Sequence, residues 1–186
     1  MPILGIIASQ NYPRVTNSYQ SIATTTLSSA ASSITFTSIP STYTHLQVRY
    51  MARGTLADVN IDIYCWINGD TTQSKYSRHY LRGNGASATA SGSAASTTAI
   101  AGTATAANST ASMFGVGVID ILDYTNTNKY KTTRSLSGED QNGSGNLWFF
   151  SNLFMDSSTV SSLTIAPQSA NFATYSSFAL YGIKGS

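Results

Sequence analysis

Residues 59–68 read Val59-Asn60-Ile61-Asp62-Ile63-Tyr64-Cys65-Trp66-Ile67-Asn68. Val59, Ile61, Ile63, Cys65 and Ile67 take one face and Asn60, Asp62, Tyr64, Trp66 and Asn68 the other. Only an extended strand sends alternate side chains to opposite sides, and Asn68-Gly69-Asp70 closes the run with turn residues. The same period of two recurs upstream. In residues 44–53, Leu46, Val48, Tyr50 and Ala52 oppose His45, Gln47, Arg49 and Arg53, and in residues 34–39 Ile34 and Phe36 oppose Thr35 and Thr37 before a break at Pro40-Ser41. Downstream, strands are expected near 76–82, over 114–122 where Phe114, Val116 and Val118 alternate with Gly115 and Gly117, and near 129–136, 146–155, 160–165 and 175–184. Eight to ten short strands with turn signals about every ten residues, and no amphipathic helix, predict an all-β fold. The expected architecture is a β-sandwich, jelly-roll-like rather than immunoglobulin-like.

Composition agrees and narrows the function. The 186 residues fit one domain, and a 41% apolar content is enough for a core. Only 10% of residues are charged, against about 25% in an ordinary soluble protein, while Ser and Thr supply more than a quarter. Ten basic and eight acidic side chains leave a net charge of +2 with no cluster of Lys and Arg, so nucleic acid is not an expected partner. The single cysteine, Cys65, has no internal disulfide partner, which fits synthesis in a reducing cytoplasm. The apolar stretch near Met1 is about seven residues long and follows no basic region, too short for a signal peptide or a membrane span. No targeting segment and no membrane association are expected.

Two segments depart from the strand pattern. Residues 1–19 join an apolar head (Ile3, Leu4, Ile6, Ile7) to a polar tail with Tyr12, Pro13 and Asn17, and read as an extended N-terminal arm ahead of one sandwich domain at 20–186. Residues 83–112 are almost wholly Ala, Ser, Thr and Gly, with Ile100 the one large aliphatic side chain. That stretch is expected to be a surface loop, mobile or ordered by another chain.

Motifs that carry chemistry are sparse. Asp58-Val59-Asn60-Ile61-Asp62 has the rhythm of a calcium loop, but its Val and Ile fit a strand, and the glycine and distal glutamate of such a loop are missing. His45 and His79 have no metal-ligand spacing and no carboxylate beside them in sequence. Asp120 and Asp123 fall on opposite faces of a strand, unlike a glycosidase pair. Residues 138–145 (GEDQNGSG) lack the Lys and helix of a phosphate loop. No serine sits in a nucleophile turn. The expectation is a protein that binds rather than reacts, with no enzyme activity, no cofactor and no metal. The binding candidates are aromatic: Tyr64 and Trp66 lie opposite the apolar face of their strand, and Arg78, Tyr80 and Arg82 share a face. Such a surface suits a partner protein or a glycan.

Several segments together resemble a group of tailed-bacteriophage virion proteins. They are MPILGIIASQ (1–10), SSITFTSIPSTYTHLQVRYMAR (32–53), IDILDYTNTNKYKTTRSLSG (119–138) and SSFALYGIKGS (176–186). The likeness runs over nearly the whole chain and is weakest in the Ala/Ser/Thr segment. It implies a non-enzymatic β-sandwich carried on the virion, a homotrimer acting as capsid decoration (cement) or in the host-binding tail apparatus. It carries over no catalytic residue.

The residues favour the shell over the tail. A cement protein needs an anchor reaching beyond its own globule, and 19 extended residues span about 60 Å. Burying Ile3, Leu4, Ile6 and Ile7 in the major capsid protein releases about 6–12 kcal/mol gross, against about 1–2 kcal/mol of backbone entropy per ordered residue. One arm is marginal; three arms on a trimer reinforce one another. The expected place is thus the capsid exterior, with the arm (Ile3, Leu4, Ile6, Ile7 and Tyr12) as the capsid-binding element. The alternative is a tail-fibre or receptor-binding module that recognises host polysaccharide through the aromatic residues.

Overall fold

The computed structural model describes residues 18–94 and 99–185. Among them are twelve strands: β1 Tyr19–Thr26, β2 Ile34–Phe36, β3 His45–Ala52, β4 Asn60–Ile67, β5 Tyr76–Gly83, β6 Ala88–Ser93, β7 Ile100–Thr105, β8 Gly115–Ile121, β9 Lys131–Asp140, β10 Gly145–Phe154, β11 Leu163–Pro167 and β12 Ser177–Ile183. A short 3-10 turn, Gln73–Lys75, precedes β5. The strands form an eight-stranded sheet, β1-β12-β3-β8-β9-β10-β5-β6, and a four-stranded sheet, β2-β11-β4-β7. The two sheets pack face to face as an all-β sandwich.

Its topology is nested. β1 pairs antiparallel with β12, β2 with β11, β3 with β8 and β4 with β7, and successive pairs alternate between the two sheets. A hairpin of paired strands folded over on itself in this way is a jelly roll. Two hairpins are inserted into it, β5–β6 between β4 and β7, and β9–β10 between β8 and β11. They join through β10 and β5 and extend the larger sheet beyond β8.

The alternations at 44–53 and 59–68 set the core. Leu46, Val48, Tyr50 and Ala52 are buried from the larger sheet, and Ile61, Ile63, Cys65 and Ile67 from the smaller one. Val59 lies just outside β4 and is exposed. Asn68 and Gly69 take the left-handed backbone that their turn requires (φ 53° and 68°). The Asn68 side chain also fastens the entry to β11: its Oδ1 accepts from Ser161 N (2.8 Å) and its Nδ2 donates to Thr159 O (2.9 Å).

The structure corrects the reading of residues 83–112 as a loop. That segment holds β6 and β7, and every residue of β7 is buried. Small side chains here mean tight packing. A Cβ on Gly102 would come within 2.1 Å of the Tyr50 Oη, and one on Gly115 of the facing β8 within 2.6 Å of the Ala104 Cα. The connection after β7 is held by Arg53, whose Nη1 donates to Thr110 O (2.8 Å) and Met113 O (2.9 Å) and whose Nη2 donates to Ala107 O (3.2 Å) and Ser109 O (2.9 Å). A second difference is β1, which the sequence pattern does not reveal because it is exposed almost throughout.

Candidate functional site

Two surfaces gather the residues that carry binding chemistry. The first is an aromatic shelf on the inner side of the extended sheet, where β5 and β10 run antiparallel. Arg82 lies opposite Trp148 and Tyr80 opposite Phe150 in that register. Trp148 and Phe150 stack at 5.5 Å with planes 3° apart, and Tyr80 leans on both, at 5.1 and 5.9 Å. The Arg82 guanidinium sits 4.9 Å from the Trp148 ring centroid, and that of Arg78 6.0 Å from the Tyr80 ring, distances at which a cation is attracted to a ring face.

A polar relay fixes Arg82. Its Nε donates to Asn146 Oδ1 (2.7 Å), and Asn146 Nδ2 donates to Glu139 Oε1 (2.7 Å). Among the described residues, the buried Trp148 Nε1 and the buried Nε and Nη1 of Arg78 find no acceptor. Burial raises the pKa of the Asp62 carboxyl, and the Arg78 charge opposes that shift. This shelf contains three of the five aromatic-surface residues expected from sequence: Arg78, Tyr80 and Arg82. Trp148 and Phe150 were missed, although Leu147-Trp148-Phe149-Phe150 carries large apolar groups on both strand faces, which already signals that neither face is freely solvated.

Tyr64 and Trp66 belong elsewhere. They stand half-buried on the outer face of the smaller sheet, rings 5.6 Å apart, with Trp66 beside Thr164 and Tyr64 beside Ala166. No ring contact among the described residues links them to Tyr80 or Trp148. The expected single aromatic surface is therefore two separate patches. The arm residues Ile3, Leu4, Ile6, Ile7 and Tyr12 lie outside the described residues.

The second surface is the outer face of the eight-stranded sheet. Hydrophobicity alone would turn Val116, Val118 and Leu136 into the core and leave glycines and serines outside. The structure does the reverse. Gly115 and Gly117 of β8 and Thr133, Ser135 and Ser137 of β9 are buried, while Val116 and Leu136 are exposed. The Tyr50 ring imposes this inversion: a Cβ on Gly117 would lie 2.3 Å from its Cζ. The Tyr50 hydroxyl donates to Thr103 O (3.1 Å), and Thr103 N donates to Ser137 Oγ (3.2 Å), so polar small groups fill the interior beside the ring.

Burial pushes the Cys65 thiol up to about 12, far from a nucleophilic thiolate at neutral pH. His45, without a carboxylate near it in sequence, gains one in space: its Nδ1 accepts from Asp123 N (3.0 Å) and lies 3.5 Å from Asp123 Oδ1. Asp120 instead joins Gln47 (2.7 Å) and Arg134 (3.2 Å) on the outer sheet face. Among the described residues, no group of three or more His, Cys, Asp or Glu is placed to hold a metal ion, and no helix is long and apolar enough to cross a membrane. Comparison of the chain with protein-family models, curated proteins and solved structures finds no match.

Proposed function

We propose that this protein is a non-enzymatic component of a tailed-phage virion, a capsid decoration protein that sits on the shell exterior as a homotrimer and binds the major capsid protein through its N-terminal segment. The observation that carries the reading is the edge strand β1. Among the described residues it ends the larger sheet and pairs with β12 alone, and it contains neither a charge nor a proline. Proteins usually blunt such an edge with Lys, Pro or a bulge, and here only a bulge near Ile22 interrupts it. The apolar residues Ile3, Leu4, Ile6 and Ile7 precede this strand, so strand and segment together offer one run for pairing with a shell subunit. The resemblance of four sequence segments to phage virion proteins points the same way.

Deleting residues 1–16 tests the proposal. The truncated chain should stay soluble, with the circular dichroism of the full chain, and should fail to decorate expanded capsids. Undiminished decoration would remove the anchor from the mechanism.

The aromatic shelf supports a second reading, a receptor-binding module for host polysaccharide. Sugar rings stack on aromatic faces, and a fixed guanidinium beside them offers donors to hydroxyls. Here Trp148→Ala should abolish binding to host-envelope polysaccharide, whereas Trp66→Ala reports on the separate patch of the smaller sheet. An intact protein that retains no such polysaccharide retires this reading.

A further inference from the structure

The outer face of the larger sheet bears two adjacent apolar rows running across the strands. One follows the register Val118, Leu136, Phe149, Leu81 and Ala90 over β8, β9, β10, β5 and β6. The next follows Met51, Val116, Gly138, Leu147, Gly83 and Ala88. Met51, Leu81, Val116, Leu136, Leu147 and Phe149 are each about half exposed, from 47% to 57%. A sheet with one solvated face places polar side chains on that face. Where these rows cross β8 and β9 the pattern is inverted, with Val116, Val118 and Leu136 outward and Gly115, Gly117, Ser135 and Ser137 inward, so water is not the environment these rows suit.

We propose that a second copy of this chain covers this face. Three features select that occupant. The six side chains present on the order of 500 Å² of apolar surface, the upper end of what a monomer exposes and a large part of the roughly 800 Å² per partner of a stable interface. From β8 to β6 the two rows carry no charge, and the one charge at their β3 end, Arg49 beside Val118, is drawn to Gln47, so like faces meet with little repulsion. Large residues also stand beside small ones: Leu147 lies between Gly138 and Gly83, and Leu81 beside Ala90, so ridges of one copy fit furrows of another.

The adjoining row of Gln47, Asp120 and Arg134 is polar and, together with Arg49 at the β3 end of the Val118 row, is hydrogen-bonded within the chain. Gln47 donates to Asp120 (2.7 Å), Arg134 donates to the same carboxylate (3.2 Å), and Arg49 Nε donates to Gln47 Oε1 (2.8 Å). An apolar centre with a polar rim is the anatomy of a protein interface. The inference adds to the proposed homotrimer the face through which copies meet, and it does not depend on the capsid, since copies would associate whether or not a shell is present.

The test is the mass of the full chain in solution, by sedimentation at tens of micromolar. The native protein should sediment at two or more times 19.7 kDa, and the double variant Leu136→Glu, Leu147→Glu as a 19.7 kDa species with an unchanged near-ultraviolet spectrum. A native protein that is monomeric, or a folded double variant that keeps the oligomeric mass, overturns the proposal. Should the double variant not fold, a photo-crosslinking residue decides: Phe149→p-benzoylphenylalanine in a mixture of isotopically light and heavy chains. Light–heavy cross-links between peptides of this face support the second copy. Cross-links to residues 1–17 of the same chain assign the face to the chain's own N-terminal segment and overturn it.

Discussion

At Gly117 the absence of a side chain lets the first half of β8 turn the same face inward as the buried Ile119 and Ile121. The Tyr50 ring occupies the space where a Cβ would stand, whereas Gly83, in the outward row, has nothing within 4 Å of that position. Gly117→Ala should therefore cost about 1–3 kcal/mol by overpacking, and Gly83→Ala less than about 0.5 kcal/mol, both read from urea unfolding midpoints. Equal effects at the two sites would mean that β8 does not face as described. Arg53 is the second residue with influence beyond its size, because one guanidinium supplies donors to four carbonyls of residues 107–113. Arg53→Ala leaves those acceptors without a charged donor and should cost about 2 kcal/mol. Hydrogen exchange at the amides of 109–113 should accelerate, and Arg53→Lys, which keeps the charge and loses the fork, should fall between the two. Neither role is legible in the sequence. Arg53 reads there as the end of a polar strand face, and Gly117 as a spacer between valines.

Among the elements, legibility follows whether hydrophobicity and burial coincide. β3 and β4 alternate large apolar with polar residues, face one core, and are read correctly to within a residue or two. β7 fails because its burial rests on Ala, Gly and Thr packed against Tyr50, β8 and β9, and a composition measure equates small with loose. β8 and β9 are located but their faces are not, since Val116, Val118 and Leu136 look like core and face outward, while β8 buries Gly115 and Gly117 on the same face as Ile119 and Ile121. The 3-10 turn before β5 carries a different kind of information. Lys75 at its end donates to Asp70 (2.7 Å) and to Asp156 just beyond β10 (3.0 Å), tying the start of one inserted hairpin to the end of the other. Asp156 is held below the usual carboxylate range first by hydrogen bonds from Ser158 and then by Lys75, and Asp70 first by Lys75 and then by Thr72. A carboxyl whose folded pKa lies below its unfolded value of about 3.9 stabilises the fold fully above that value, and the contribution disappears as pH falls through the folded pKa. Lys75→Met should therefore lower the melting temperature at pH 7, with the gap to the native protein closing toward pH 2. A gap independent of pH would show that Lys75 acts through its packing on the Phe154 ring, 5.8 Å from its Nζ, rather than through its charge.

For the whole molecule, the nested pairing brings the ends of the described chain together. Tyr19 pairs with Ile183, and Lys184 N donates to Ser18 O (3.0 Å). The sequence shows the strands that take part but not this closure, because which strand pairs with which depends on contacts separated by almost the full chain. It follows that the sandwich should tolerate circular permutation. Residue 185 joined to residue 18 by a short Gly-Ser linker, with new ends at the exposed Asn142–Gly143 turn, cuts no pairing between strands, since β9 and β10 keep their ladder from Asp140 and Gly145 onward. The loop that closes β1 on β12 shrinks from most of the chain to a few residues, while the β9–β10 contact becomes the distant one. Closure entropy grows only with the logarithm of loop length, so the equilibrium stability should shift by about 1–2 kcal/mol at most. Kinetics are more sensitive to sequence separation. If β1 and β12 meet before the rate-limiting step, the permutant refolds faster than the native order; if the β9–β10 hairpin is the early contact, it refolds more slowly. Stopped-flow refolding of the two chains separates these cases, and a permutant with no cooperative unfolding transition would show that the jelly-roll framework needs its hairpin extension continuous in order to fold.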